Sequence, residues 1–331
     1  MHIEDSSSSK PESTLLVAPS KVFTFPTRLA DAWVAQGLEI HLPGYCLSRP
    51  SLSLSVRTGV TNLRHFGLRT LPKYLYAKIA PAISVTGTPL FDTRCDTDGN
   101  IAHVLLNAGP ALLHSKQTFG EVTAIVKSNV SAMGREAYRL LGCSVLNTDR
   151  DVRGEVIVPP DWRNAMYLTW YAALFSAIEI AEPRAATPER VFLSRKGPRR
   201  LVNEEEVEQT LARYGFHKMY FEDIPLAEQW WIARNAQAVV GIHGAALASL
   251  VFNGRGVKLL ELFHPGFVVN HYRHLTNAIG GTWCGVTGQM PAEIVRELDV
   301  KRNGRKFAYS PIRIDLDSLR RALDFLDLSP L

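Results

Sequence analysis

The sequence predicts an α/β protein of two domains, with a parallel, doubly wound sheet in its C-terminal half. The chain has 331 residues, of which 46% are hydrophobic and 21% charged. That length corresponds to about two domains at roughly 150 residues each, and the composition excludes wholesale disorder. After residue 189, short apolar strands alternate with amphipathic helices across short loops, which is the pattern of successive βαβ units.

Four segments are expected along the chain. Residues 1–14 are polar, include a run of four serines, and are expected to be a disordered tail. An N-terminal domain is expected over residues 15–182 and a C-terminal domain over residues 189–310, with a Pro- and Ala-containing linker between them. An amphipathic helix is expected to close the fold within residues 311–331.

The N-terminal half has a mixed pattern of elements. Its first hundred residues contain short strand-like pieces, such as 21–25 and 52–56, without a clear order. Residues 100–113 predict a helix that is kinked or ended at Gly109 and Pro110. The remaining elements expected here are strands at 123–126 and 155–158, and helices at 131–141 and 163–180.

The C-terminal half alternates regularly. Strands are expected at 191–194, 218–221, 238–241 and 257–262, and helices at 203–215, 225–235, 245–252 and 267–279. Asn203 is expected to cap the first of these helices, with Glu206 in the third position of a capping box. Ligands of open parallel sheets bind beyond the carboxyl ends of the strands, so the residues that follow these strands are candidates for a site.

Charge and cysteine content restrict the classes of protein. The net charge is +5 and is spread along the chain, which suits an anionic small molecule or peripheral contact with an anionic membrane surface. Nucleic acid is not expected as a partner, because no basic stripe is present. The 4 cysteines form no CxxC pair, the N-terminus is not a signal peptide, and no stretch reaches the roughly 20 apolar residues of a membrane span. A soluble, cytoplasmic protein is therefore expected.

Three residues that can carry chemistry lie at the predicted strand ends: Arg195, His243 and Glu261. The segment 241–247, which reads GIHGAAL, brings small residues to a helix N-terminus, where backbone N–H groups and the helix dipole bind phosphate. Arg195 is suited to bind the same phosphates through its planar fork of donors. Glu261 is suited to accept hydrogen bonds from a ribose diol.

Structural roles remain open for the same features. A glycine-containing turn is often only a tight turn, and His243 and Glu261 are also suited to structural hydrogen bonds. The basic cluster that contains Arg195, Lys196 and Arg199 is typical of a solvated loop. Arg199 in particular is expected to be solvated.

Metal ions and dinucleotide cofactors are not expected. His264, His271 and His274 do not have the spacing of the common helical zinc pair. The turn at 241–244 lacks the full G-x-G-x-x-G pattern and lies late in the predicted sheet, which disfavours a nicotinamide cofactor.

The stretch 191–282 resembles glycosyltransferase family 61. The matching motifs, in chain order, are RVFLSR at 190–195, NEEE at 203–206, EQ at 228–229, VVGIHGAAL at 239–247 and LEL at 260–262. Pro265, Gly266 and Tyr272 also fit. A fainter match at 103–112 keeps His103 and Pro110. Each motif alone is common, but the set is specific because the motifs occur in the same order as in the family pattern.

The resemblance implies two Rossmann-like domains facing a cleft, which is the GT-B arrangement. It also implies an inverting, metal-independent glycosyltransferase of the bacterial capsular or polysaccharide type, which uses a nucleotide-sugar donor, usually a UDP-sugar. The acceptor would be a saccharide or glycoconjugate bound on the side of the N-terminal domain. The donor would be bound mainly by the C-terminal domain, through Arg195, Lys196, His243, Gly244, Ala245, Ala246 and Glu261.

Two departures from the family pattern affect the chemistry. Ala246 replaces the second glycine of the HGAGL turn, and Asn107 replaces an acid that is a candidate general base. His103 is then expected to take the proton of the acceptor hydroxyl, with an acid before residue 100 as the alternative. A catalytically silent nucleotide-sugar-binding protein and, less favoured, a nicotinamide-dependent oxidoreductase remain as alternative functions.

Overall fold

The structure is a computed structural model, which describes residues 15–16, 46–48, 81–94, 100–150, 152–158, 171–290 and 309–331. It forms two compact units, each of mixed α/β structure. The C-terminal unit comprises Met1–Pro26 and Glu179–Leu331, and the N-terminal unit comprises Thr27–Ile178. The predicted tail at 1–14 and the strand-like pieces at 21–25 and 52–56 lie outside the described residues.

The C-terminal unit contains a six-stranded sheet in the order β1-β13-β12-β11-β9-β10. Its strands are β1 (Leu15–Leu16), β9 (Arg190–Leu193), β10 (His217–Met219), β11 (Ala238–Ile242), β12 (Lys258–Phe263) and β13 (Thr282–Thr287). Strands β9 to β13 pair in parallel, as the alternating pattern predicts. Because the chain moves outward from β9 first on one side and then on the other, the order is that of a doubly wound sheet, with its switch point between β9 and β11.

Strand β1 extends this sheet at its edge. Leu15 pairs antiparallel with Val286, and Leu16 with Gly285, so the short strand protects the open edge of β13. The sequence groups residue 15 with the N-terminal domain, whereas this pairing places it in the sheet of the C-terminal unit. A two-residue strand has too little pattern of its own to indicate its partner.

In the described part of the C-terminal unit, the helices are α5 (Glu204–Ala212), α6 (Leu226–Asn235), α7 (His271–Ala278) and α8 (Leu316–Phe325). Short 3₁₀ helices occupy Phe221–Asp223 and Ala245–Phe252, the second of which was expected to be an α-helix. Helix α8 begins at Asp315, whose carboxylate accepts a hydrogen bond of 2.8 Å from the backbone N–H of Ser318. Its apolar face belongs to the same buried core as β11, β12 and β13.

Asn203 lies at the start of α5 but does not cap it as predicted. Its Nδ2 donates to the carbonyl of Ile314 at 2.8 Å, and its Oδ1 accepts from the backbone N–H of Ile314 at 3.0 Å. The side chain thus ties α5 to the segment before α8. A partner 111 residues away in the chain satisfies the amide better than the local turn does.

The N-terminal unit contains a five-stranded sheet in the order β2-β8-β4-β5-β6, in which only the β2–β8 pair is antiparallel. The strands are β2 (Cys46–Ser48), β4 (Leu90–Asp92), β5 (Thr123–Val126), β6 (Ser144–Asn147) and β8 (Val156–Val158). A separate parallel pair is formed by β3 (Ile83–Ser84) and β7 (Val152–Arg153). The helices are α1 (Ile101–His103), α2 (Gly109–Phe119), α3 (Ala132–Leu140) and α4 (Tyr171–Ser176).

A π-helical turn over Val104–Ala108 joins α1 to α2. The predicted end of the helix at Gly109 and Pro110 is wrong: the irregular turn precedes these residues, and an α-helix runs from Gly109 to Phe119. Pro110 lies in the first turn of α2, directly after the π-helical turn that the hydrogen bond from the Gly109 N–H to the Val104 carbonyl closes. Of the helix predicted at 163–180, the described part is helical over Tyr171–Ser176.

Candidate functional site

The site in the C-terminal unit forms at the switch point of the sheet. Arg195 follows β9 and His243 follows β11, and these strands are direct neighbours. The Nη1 atom of Arg195 donates to the carbonyl oxygen of His243 at 3.0 Å. The structure therefore brings together two of the residues that the strand ends predict, at the place where doubly wound sheets bind ligands.

Arg199 belongs to the same site, although the sequence predicts a solvated side chain. Its Nη1 donates to the same His243 carbonyl at 3.0 Å. The guanidinium is half-buried between two rings, with its Cζ 5.1 Å from the centroid of Phe267 and 5.6 Å from that of Tyr309. Arg199 also has a φ of 65°, in the left-handed region that non-glycine residues rarely occupy.

The two arginines concentrate positive charge in a partly buried place. Burial lowers the pKa of both guanidinium groups, and the charge of Arg195 lowers the pKa of Arg199 further. The exposed Glu222 opposes the effect of burial on the pKa of Arg195. Among the residues that the structure describes, neither arginine forms an ion pair with a carboxylate. Since arginine stays charged, the arrangement favours an anionic ligand.

His243 is held by a buried carboxylate. Its Nδ1 lies 2.5 Å from Oε1 of Glu261, while Oε2 of Glu261 accepts a hydrogen bond of 2.8 Å from Nε1 of Trp283. Glu261 is completely buried, and its two carboxylate oxygens contact His243 and Trp283. A carboxylate only accepts hydrogen bonds, which assigns a proton to Nδ1 of His243. The direct ribose contact expected of Glu261 is replaced here by a contact that positions His243.

Aromatic rings surround the His243 imidazole on several sides. The ring centroids of Phe263, Phe267 and Tyr272 lie 5.4, 5.2 and 5.3 Å from that of His243. Burial and the nearby Glu261 charge raise the pKa of the Tyr272 hydroxyl, which therefore stays protonated. The imidazole is fixed by packing as well as by hydrogen bonding.

Gly244 allows Arg195 to approach the turn after β11. A Cβ atom at this position would lie 2.6 Å from Nη1 of Arg195, too close for any real contact. Ala245 and Ala246 follow, half-buried, at the start of the 3₁₀ helix. The residues of this turn beside both arginines are thus small. The phosphate-binding interpretation requires small residues here, because a phosphate must approach the backbone N–H groups.

Lys196 takes no part in this cluster. Its ammonium forms an ion pair of 2.5 Å with Asp223, and both side chains are 54% exposed. An exposed pair of this kind contributes little to stability and leaves the lysine facing solvent.

His103 lies in the N-terminal unit, at the end of α1 and directly before the π-helical turn. Its Nδ1 is 3.1 Å from Nδ2 of Asn107, and both side chains are half-buried. Turns of this type occur often at functional sites. Asn107, which replaces the family acid, therefore contacts the histidine expected to act in its place.

A comparison with protein families identifies the chain. The model described as Glycosyltransferase 61 matches residues 63–260, which is more than half of the sequence. The chain belongs to glycosyltransferase family 61. The matched region of this family 61 member contains His103, Arg195, Arg199 and the His243 turn, and it ends one residue before Glu261.

Two solved structures are distantly similar to this family 61 chain. The bacterial iron-containing dodecameric glycosyltransferase TibC, from enterotoxigenic E. coli H10407, is 12% identical with a TM-score of 0.34, over 56% of this chain and 60% of that chain. E. coli diaminopropionate ammonia lyase in its apo form is 15% identical with a TM-score of 0.22, over 96% and 91% of the two chains. This chain therefore spans 60% of the length of TibC. No curated protein matches it in sequence.

His264 has hydrogen-bond partners of its own in this family 61 member. His264 contacts Ser310 through Nε2 at 2.8 Å and accepts from the backbone N–H of Gly266 at 3.0 Å.

Within the described ranges, no group of three His, Cys, Asp or Glu side chains is arranged to hold a metal ion. None of the helices that the structure describes has the length and apolar character needed to span a membrane.

Proposed function

We propose that this family 61 member is an inverting glycosyltransferase that transfers a sugar from a nucleoside diphosphate donor, in the first place UDP, to a saccharide hydroxyl. The convergence of Arg195 and Arg199 on the His243 carbonyl, at the switch point of the sheet, carries this proposal. Two guanidinium groups converge on one carbonyl next to small residues. They are therefore suited to bind the two phosphates of such a donor.

The arginines act on the leaving group. When the bond between the sugar carbon and the diphosphate oxygen breaks, its electron pair stays on that oxygen and negative charge develops there. Arg195 and Arg199 stabilise this charge without a metal ion, because donors that are already fixed and partly desolvated need little reorganisation. Glu261 and Trp283 act indirectly by holding His243, whose carbonyl orients both guanidinium groups.

His103 is the proposed general base on the acceptor side. It takes the proton of the acceptor hydroxyl as that oxygen attacks the sugar on the face opposite the diphosphate. This role requires a free electron pair on Nε2 and a proton on Nδ1. The Asn107 amide must then turn its oxygen toward Nδ1, a flip that exchanges the two nearly isosteric amide atoms. An acid before residue 100 is the alternative base.

The arrangement of the two units as a GT-B pair facing a cleft belongs to the same proposal, as do a place in bacterial polysaccharide synthesis and a cytoplasmic location. The resemblance of the sequence motifs to family 61 implies the first two, and the dispersed cysteines favour the third.

A catalytically silent nucleotide-sugar-binding protein is the second candidate. The replacement of the family acid by Asn107 favours it, since an amide is not a base. Donor binding without turnover on any saccharide acceptor would support this candidate.

Calorimetric titration with UDP tests the diphosphate site. The variants Arg195→Ala and Arg199→Ala are each expected to weaken UDP binding by about 1.5–3 kcal/mol, the range for hydrogen bonds to charged groups. Arg200→Ala, at a neighbouring exposed position, is the matched control and should change little. Equal, small losses at all three positions, or binding of NAD in preference to UDP, would contradict the proposal. In an active preparation, the anomeric configuration of the product would test inversion.

A further inference from the structure

Two exposed aromatic rings flank the arginine pair. Phe267 is 38% exposed and Tyr309 is 52% exposed, although aromatic side chains are usually much more buried. Both rings contact the Arg199 guanidinium, which lies 5.1 Å from one centroid and 5.6 Å from the other. The exposed aromatic surface therefore continues directly from the proposed diphosphate site.

Backbone contacts hold both rings in place. The N–H of Arg199 donates to the carbonyl of Tyr309 at 2.9 Å, and the N–H of Phe267 donates to the carbonyl of His264 at 2.9 Å. The Phe267 ring also packs against the imidazole of His243, with 5.2 Å between centroids. The backbone of both residues is thus fixed beside the arginines, which lowers the cost of ordering the rings when a ligand binds.

The chemistry of the proposed donor matches this arrangement. A nucleoside diphosphate carries the transferred sugar at one end of its diphosphate and a ribose with a planar base at the other. A ring next to the arginines can reach that base while the phosphates stay on the guanidinium groups. Base–aromatic stacking tolerates every base, because each has a π face, and it corresponds to about 5- to 150-fold in affinity per stacked base.

We propose that Phe267 and Tyr309 form an aromatic platform that stacks on the base of the nucleoside diphosphate held by Arg195 and Arg199. This inference rests on the proposed function and makes the two rings determinants of nucleotide binding. The platform distinguishes a nucleotide from inorganic pyrophosphate and is not specific for one base.

Calorimetry with UDP, GDP and inorganic pyrophosphate tests the platform on the full chain. Tyr309→Leu and Phe267→Leu keep apolar bulk and remove the ring. Each is expected to weaken UDP and GDP binding by about tenfold and pyrophosphate binding by less than about twofold. Val268→Ala is the matched control, because Val268 is an exposed apolar neighbour that is 45% exposed and should leave all three affinities unchanged.

The outcomes separate this inference from the proposed function. Parallel losses for pyrophosphate and nucleotides in the ring variants would show that the rings only support Arg199, and would overturn the platform. Equal affinity of the unaltered protein for UDP and pyrophosphate would also overturn it. In both cases the diphosphate site stands if Arg195→Ala and Arg199→Ala weaken pyrophosphate binding. If those two variants change neither ligand, the proposed function itself fails. Thermal unfolding of each variant checks that the fold is retained.

Discussion

The Oε1 atom of Glu261 lies 2.5 Å from Nδ1 of His243, across two neighbouring parallel strands. Strands β11 and β12 pair with Gly241 opposite Glu261, and the N–H of His243 donates to the carbonyl of Leu262 at 2.8 Å. The carboxylate and the imidazole therefore meet because of the register of the sheet. A completely buried carboxylate is costly unless its oxygens receive hydrogen bonds, and here His243 and Trp283 provide them.

Replacing Glu261 by Gln should lower stability by about 1–3 kcal/mol. An amide has a single acceptor oxygen, so if it accepts from Trp283 it turns an N–H group to His243, which must then give up its Nδ1 proton, and the hydrogen bond to a charged carboxylate is lost. Urea unfolding measures this change. Glu222→Gln, at an exposed carboxylate, is the control and should change the free energy of unfolding by less than about 0.5 kcal/mol. A Glu261→Gln protein as stable as the parent would show that the buried contacts are not required.

Gly244→Ala should weaken UDP binding in the same direction as Arg195→Ala, by about tenfold or more. The added methyl group would lie 2.6 Å from Nη1 of Arg195 and would push the guanidinium away from the His243 carbonyl. Gly197→Ala is a suitable control in the same region, because a Cβ at Gly197 meets nothing within 4 Å. Unchanged UDP affinity in Gly244→Ala would mean that the diphosphate does not depend on the observed position of Arg195.

His264 should make the protein less stable as the pH falls below neutrality. Burial, together with the charge of Arg199, lowers the pKa of His264 from its ordinary value of 6.5 to about 4. Between these values the unfolded chain binds the proton and the folded protein does not. The contribution is therefore fully present above pH 6.5 and is lost progressively as the pH falls toward about 4.

Urea unfolding of the parent protein and His264→Gln, at about pH 7 and about pH 5, isolates this contribution. On going to the lower pH, the free energy of unfolding should decrease more for the parent protein than for His264→Gln. The same pH dependence in both proteins would exclude His264 as its source.

The strand ends of the C-terminal unit could be predicted from the sequence because local patterns determine them. The apolar strands around Phe192 and Val240 and the glycine turn after β11 place Arg195 and His243 at one edge of the sheet. The burial of Arg199 could not be predicted in the same way, since Phe267 and Tyr309, which cover it, lie 68 and 110 residues further along the chain.

The roles of Glu261 and Lys196 depend on packing, and the structure differs there from what the sequence predicts. Glu261 has the residue type expected for a ribose contact, but its completely buried position in β12 directs it to His243 instead. Lys196 follows Arg195 directly, yet its side chain is exposed and paired with Asp223. Neighbouring positions in a sequence therefore reach a common site only when the backbone directs both side chains toward it.

The contact between His103 and Asn107 leads to a prediction about the acceptor step. His103→Ala should reduce turnover by about 10²–10⁴, the usual contribution of general acid–base catalysis, while UDP affinity changes little. Asn107→Asp should retain or increase turnover, because a carboxylate accepts from Nδ1 and leaves an electron pair on Nε2 of His103. Asn107→Leu, which has similar bulk and no polar atoms, should lower turnover, since Nδ1 loses the 3.1 Å contact to the amide. Single-turnover measurements and UDP titrations on the same three variants separate chemistry from binding. Intact turnover in His103→Ala, or a joint loss of UDP affinity, stability and turnover, would remove His103 from the mechanism and direct the search to acids before residue 100.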